Sequence, residues 1–427
     1  MTSLPSGWIS VALGELGVEV REAVTPSPGT TYELWSVPAF ATGAPELVDG
    51  RDIGSAKRVV QPNDVLICKI NPRINRVWIV AESRTDPKQI GSPEYLIFRT
   101  GSRTLASYLR WYLSSPAFRS WIELSVEGAT GSHTRAKSGP ILRQCVPLPP
   151  LAEQRRIVAA IEEQFSRLDA ADCSFTALEK RLDVFAEALI SRATGGEWPV
   201  VALSEITKHQ GYGSSAKSSS EPVGTPVLRM GNIDGGRVRI GSLKYLPNDH
   251  PDAAKFKLAP GDLLFNRTNS PELVGKTAVY IGEPPDAAFA SYLIRVRLSD
   301  TCLPSWASLV MNSQRGREYV ARVRTQQVGQ ANVNGTKLAA MPIPLPPQGE
   351  QRRIVAEIEQ QLSLIDSLRS AVESAQKRSA ALRRAILERA FRGELVPQDP
   401  DDEPASVLLE RIRAERAKDS RPSVARR

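Results

Sequence analysis

Between two short apolar runs, Lys69-Ile70-Asn71-Pro72-Arg73-Ile74-Asn75-Arg76 gathers three basic side chains and two asparagines into eight positions. Later in the chain Asn266-Arg267-Thr268-Asn269-Ser270, with Lys276 close behind, uses the same vocabulary. Two further segments add to it: Thr130 to Lys137, with His133, Arg135 and Lys137, and Gln330 to Lys337, with Gln330, Asn332, Asn334 and Lys337. Arg229 and Asn232 close a stretch that opens with the glycine- and serine-rich run 211–220, expected to be a mobile loop. Arginine and lysine can form paired hydrogen bonds to guanine, and asparagine and glutamine to adenine. Hydroxyls and cations also bind phosphates. One such loop is ordinarily a solvated turn. Four of them, matched in pairs across two halves of a chain, point to nucleic-acid reading.

These loops need strands to hold them. Val65-Leu66-Ile67-Cys68 and Val77-Trp78-Ile79-Val80 flank the first, and Leu263-Leu264-Phe265 and Thr277-Ala278-Val279-Tyr280 the second. Each is a short apolar run bounded by turn formers. Helical spacing over Leu105 to Phe118 places Tyr108, Leu109, Tyr112 and Leu113 on one face. Two α+β blocks, 1–146 and 197–343, are therefore expected, and most of the net charge of +8 lies in them.

Between and after the blocks the chain duplicates itself. Pro147-Leu148-Pro149-Pro150 followed by Glu153-Gln154-Arg155-Arg156-Ile157-Val158-Ala159 recurs as Pro344-Leu345-Pro346-Pro347 and Glu350-Gln351-Arg352-Arg353-Ile354-Val355-Ala356. Over 147–169 against 344–366, 16 of 23 positions are identical. More weakly, Asn63-Asp64-Val65-Leu66 matches Gly261-Asp262-Leu263-Leu264. After each proline run the pattern predicts a long helix, over 147–196 and 344–396. Its core is expected at Ile161, Leu168, Leu178, Leu182 and Leu189 in the first, and at Ile358, Ile365, Leu368, Val372, Leu382 and Ile386 in the second. A period of 3.5 residues sustained over four heptads argues for a coiled coil. Two such helices of about 40 residues, each roughly 60 Å long, pair most easily antiparallel. A charged tail, 397–427, carries a short amphipathic helix around Val407 to Ile412 and an end expected to be disordered, Arg421 to Arg427.

Other chemistry finds little support. Ser270-Pro271-Glu272-Leu273-Val274-Gly275-Lys276-Thr277 resembles the end of a phosphate-binding loop, but serine replaces the first glycine. Asp64 with Asp86-Pro87-Lys88 could be drawn as a metal-dependent nuclease centre, yet Asp64 sits in a turn duplicated at Asp262. Asn71-Pro72-Arg73-Ile74 lacks the second proline and the aromatic of an amino-methyltransferase motif, and no nucleophile elbow occurs. Four dispersed cysteines and three histidines give no metal-ligand spacing. No catalytic residue, metal or resident cofactor is expected. No run of 18 apolar residues occurs and no signal peptide is visible, so a cytoplasmic protein is expected. A coiled-coil scaffold for proteins is the rival to DNA reading.

The duplicated PLPP-x-x-EQRRIVA segments are what identifies a family. The chain resembles the specificity (S) subunits of type I restriction–modification systems in its block, helix, block, helix order, in 211–232, and in the tail around Asp402-Glu403-Pro404-Ala405. The resemblance implies two target-recognition domains, each reading half of a bipartite, gapped double-stranded DNA site. The helices would set the gap and dock two methyltransferase (M) subunits, joined by two restriction (R) subunits where present. S-adenosylmethionine would belong to the M partners, ATP and magnesium to the R partners. A specificity chain of a modification system outside type I is the neighbouring possibility.

Overall fold

The computed structural model describes residues 4–83, 88–125, 134–327 and 329–419. The chain is α+β with two helices of 44 residues, Leu151–Thr194 and Gln348–Phe391. It divides into two compact units. One comprises Met1–Ser174 and Ala375–Arg427, the other Phe175–Ser374, so each long helix is shared between the two units. Asp86 and the terminal run Arg421 to Arg427, both singled out in the sequence, lie outside the described residues. No helix among the described residues is long and apolar enough to cross a membrane.

In the first unit a four-stranded antiparallel sheet runs in the order Val18–Glu19, Tyr95–Arg99, Val65–Cys68, Val77–Ile79. Leu66 and Phe98, buried on its strands, explain why those runs are apolar throughout: both faces are covered. A five-stranded mixed sheet lies beside it, with Thr31–Trp35 and Lys88–Gly91 parallel at its heart. The helices Arg103–Leu113 and Pro116–Leu124 bury Tyr108, Leu109 and Phe118, and Trp111 meets Phe165 of the first long helix edge-on at 4.9 Å.

The second unit repeats the plan. Its four-stranded sheet runs Thr207–Tyr212, Leu293–Leu298, Leu263–Asn266, Thr277–Val279. Both sheets are fastened by the same ion pair. Asp64, 1% exposed, accepts from Arg99 at 2.8 and 2.7 Å, and Asp262 accepts from Arg297 at 2.6 and 3.2 Å. Each carboxylate also caps its own turn, from Gln61 N and Ala259 N at 2.9 Å. The preceding residue is left-handed in both, Asn63 at φ 70° and Gly261 at φ 92°. This duplicated aspartate is therefore an anchor for the sheet. The run 211–220 is tied down on both sides: Tyr212 pairs with Ile294, and Ser219 bridges Tyr245.

The proline runs act as hinges from strand to helix. Cys145–Leu148 pairs with Ile9–Ala12, and Pro342–Pro344 with Val200–Ala202. The glutamine of each Glu-Gln-Arg-Arg repeat is fully buried and donates back to the proline run, Gln154 to Pro149 O at 2.9 Å and Gln351 to Pro346 O at 2.8 Å. Those carbonyls would otherwise be orphaned at a buried junction.

Within the first unit, residues 151–174 pair antiparallel with 375–391, and Ile157, Ile161, Ile386, Leu387 and Ala390 are buried there. Within the second, 175–194 pair with 348–374 through Leu182, Ala186 and Ile365. Of the expected core, Ile161, Leu182, Ile358, Ile365, Val372 and Ile386 are buried, and Leu168 and Leu189 half-buried. Leu178, Leu368 and Leu382 are not core: they are 38, 49 and 52% exposed. The anchor row holds, but the second row lies four residues on instead of three, at Phe165, Asp172, Glu179 and Ala186 and at Leu362, Arg369, Gln376 and Arg383. A 3.5-residue period fits either row, and the leucines favoured the first. The charges decide for the second: Arg369 pairs with Asp183 at 2.6 Å, and Arg383 with Asp169 and Asp172 at 2.8 Å each.

The tail helix spans Ala405–Asp419 and packs on the first unit. Ala405 and Leu409 are buried, Arg156 grips Asp402 at 2.6 Å, Arg413 pairs with Glu15, and Arg416 donates to the carbonyls of Gly14 and Glu15.

Candidate nucleic-acid interface

In the first unit the loop 69–76 joins two neighbouring strands, Val65–Cys68 and Val77–Ile79. It meets the segment ending at Lys137 directly: Asn71 N donates to Thr134 O at 3.0 Å, Ala136 N to Lys69 O at 2.8 Å, and Ile70 bridges Arg135. Two loops separated by some 60 residues in the chain thus form one surface. Arg73, Arg135 and Lys137 are exposed on it, and Lys69, Asn71 and Arg76 half-buried. Burial, reinforced by Arg135 and opposed by Glu19 and Glu94, lowers the pKa of Lys69. Arg135 is steadied by Glu94 at 2.8 Å. Asn75 is turned inward, its amide donating to Leu113 O at 2.8 Å, so it shapes the loop. His133 lies outside the described residues.

The second unit builds the same junction from different residues. Thr268–Asn269 pairs antiparallel with Gln330–Asn332, and Asn332 donates to Thr268 Oγ1 at 2.7 Å. Gln330 and Asn334 are exposed, with Arg267, Asn269, Asn332 and Lys337 half-buried. The Arg267 guanidinium lies over the Tyr212 ring at 4.7 Å, and Tyr212 Oη accepts from Gly335 N at 2.9 Å. Tyr212 was not legible as part of the site, because strand pairing alone brings it beneath Arg267. Lys276 binds Asp234 at 2.6 Å, which holds the Asp234 carboxyl below its usual range. Asn334 Oδ1 accepts from Lys337 N at 2.9 Å and caps a short helix.

Besides Asn75, two expected readers are corrected. Asn232 is buried and clips a turn, donating to Arg239 O and Gly241 O while accepting from Arg229 N. Asn266 is wholly buried at the end of a central strand. Short polar side chains at strand ends look alike in sequence whether they face outward or fold inward. Arg229, beside the Asn232 clip, is half-buried.

Residues 195–373 match the family model for the type I restriction modification DNA specificity domain. The EcoKI specificity subunit of Escherichia coli K12 is 28% identical over 349 residues, covering 76% of this chain and 73% of that protein. The StySPI specificity subunit of Salmonella potsdam is 25% identical over 334 residues, covering 73% and 72%. A solved chain from work on complex assembly and conformational transition of the type I R-M system superposes with a TM-score of 0.76 at 22% identity. That match covers 92% of this chain and 100% of that one.

Proposed function

We propose that the chain, similar over 195–373 to the type I restriction modification DNA specificity domain and over some three quarters of its length to type I specificity subunits, is itself such a subunit, reads a bipartite, gapped double-stranded DNA site and performs no chemistry. Each unit would contribute one reader, built where its two polar loops are knitted together, and each reader would contact one half-site through the major groove. On this reading 1–146 and 197–343 are target-recognition domains, 147–196 and 344–396 are spacer segments, and 397–427 is a tail that braces the first domain. The readers would use Lys69, Asn71, Arg73, Arg76, Arg135 and Lys137 in one unit. In the other they would use Arg229, Arg267, Asn269, Lys276, Gln330, Asn332 and Lys337. Cations beside amides supply both phosphate grip and base reading. The observation that carries the proposal is the duplicated junction: Asn71 with Thr134 in one unit and Thr268 with Asn332 in the other.

The long helices would act as an antiparallel coiled-coil spacer that sets the gap. Their off-seam apolar side chains, Leu178, Phe185, Leu364, Leu368 and Leu382, all exposed, suit docking of two methyltransferase subunits, and restriction subunits would join where the system has them. S-adenosylmethionine would then be bound by the methyltransferase partners, and ATP with magnesium by the restriction partners, in a cytoplasmic complex. Two readers on one strut combine their affinities through effective concentration and demand a fixed helical phase between half-sites.

Sequencing of modified bases in cells expressing this chain with its methyltransferase partner, beside cells lacking it, tests the proposal. A gapped, two-part N6-methyladenine motif that appears only with the chain supports it. An ungapped motif would leave one reader idle and refute the spacer. No new methylation from an assembled complex would refute the whole reading in favour of a protein scaffold.

A further inference from the structure

Loop 69–76 is held rigid on every side and still presents one branched apolar side chain to water. Asn71 adopts the left-handed conformation at φ 45°, and Ile74 N donates to Asn71 O at 2.9 Å, closing a turn around the buried Pro72. Asn75 is clipped to Leu113 O at 2.8 Å, Cys68 N donates to Arg76 O at 3.0 Å, and Ile70 bridges Arg135. What remains at the tip is Ile74, 53% exposed, next to the exposed Arg73.

The second unit repeats the arrangement with unrelated residues. In its corresponding loop Leu273 N donates to Ser270 O at 3.1 Å, and Arg324 Nη1 holds Pro271 O at 2.5 Å. Val274 is buried, and Leu273 stands 39% exposed. Hydrogen bonds from its own backbone and from Ser270, with a smaller contribution from Arg324, hold the carboxyl of the neighbouring Glu272 below its usual range. A single exposed apolar residue means little. The fourth residue of a pinned turn, apolar and outward in both loops, is a repeated feature.

Resting on the reading above, we infer that Ile74 and Leu273 are apolar fingertips that contact the 5-methyl group of thymine, one in each half-site. In the major groove thymine alone among the four bases offers a methyl group, and aliphatic side chains recognise it by contact. A loop whose backbone is fixed before binding has little backbone entropy left to lose on contact, so less of the gain is spent on ordering.

Once the methylation motif is known, the full complex with its methyltransferase partner is tested on duplexes in which each thymine of the motif is replaced singly by deoxyuridine. That change removes only the methyl. Wild-type complex should lose about fourfold in affinity at one position per half-site, the value of one buried methylene. Ile74→Ala should bind the thymine duplex weakly by the same factor and no longer distinguish uracil from thymine in its half. It should still distinguish them in the other half, and Ile74→Val should keep the discrimination. Leu273→Ala should show the reverse. Indifference of the wild type to every deoxyuridine, or continued discrimination by Ile74→Ala, overturns the inference. In either case an intact gapped motif leaves the proposed function standing.

Discussion

The seam between the long helices yields a sharp contrast between two residues three positions apart. Ile365 is 3% exposed and packs against Leu182 and Ala186, whereas Leu368 is 49% exposed. Truncating a buried isoleucine to alanine costs about 2–5 kcal/mol. A seam between two helices can close partly around the gap, so about 2–3 kcal/mol is expected for Ile365→Ala. Leu368→Ala removes a side chain already half in water and should cost under about 1 kcal/mol. The difference of about 2 kcal/mol is a factor of about 30 in the local unfolding equilibrium. Because a chain of two compact units need not unfold in a single step, amide hydrogen exchange over 175–194 and 348–374 reads the effect where it occurs. Ile365→Ala should speed exchange there by that larger factor, and Leu368→Ala barely. Equal acceleration by both would mean that the leucine row is the seam, and the row through Leu362, Arg369, Gln376 and Arg383 would be refuted. With the methyltransferase partner present the order should invert for association, Leu368→Ala weakening it more.

Three further outcomes are expected. Arg297→Met strands the buried Asp262 carboxylate and should destabilise the second unit by about 3 kcal/mol, read from its urea midpoint. The first unit, with its own Arg99–Asp64 pair, should be unchanged. Leu409→Ala, at a buried position of the tail helix, should cost the first unit about 2–3 kcal/mol, visible as faster exchange around residues 7–16. Arg73→Ala should weaken DNA binding on specific and non-specific duplexes alike and reduce the log–log salt slope by about one. A loss confined to the specific site would instead make Arg73 a base reader.

The sequence alone determined a good deal. Its duplicated proline and Glu-Gln-Arg-Arg segments give two blocks each followed by a long helix, because a repeat of 16 identities in 23 positions fixes which parts must fold alike. Its 3.5-residue period made the helices long and paired, since that spacing can be buried only against another helix. The four polar loops were legible because clustered cations between apolar strands have no place in a core. Tertiary structure decided the rest. Heptad spacing is degenerate between two rows, and only the ion pairs of Arg369 and Arg383 with facing aspartates select one and leave Leu178, Leu368 and Leu382 outside. Whether an asparagine reads or braces depends on which way its strand end turns. Asn232 and Asn75 brace, through backbone carbonyls that no local pattern announces. The junction of loop with loop is a contact across some 60 residues in each unit, and Tyr212 joins its site from farther still. Sequence supplies the chemistry of each segment, and long-range strand pairing alone brings the segments into one surface.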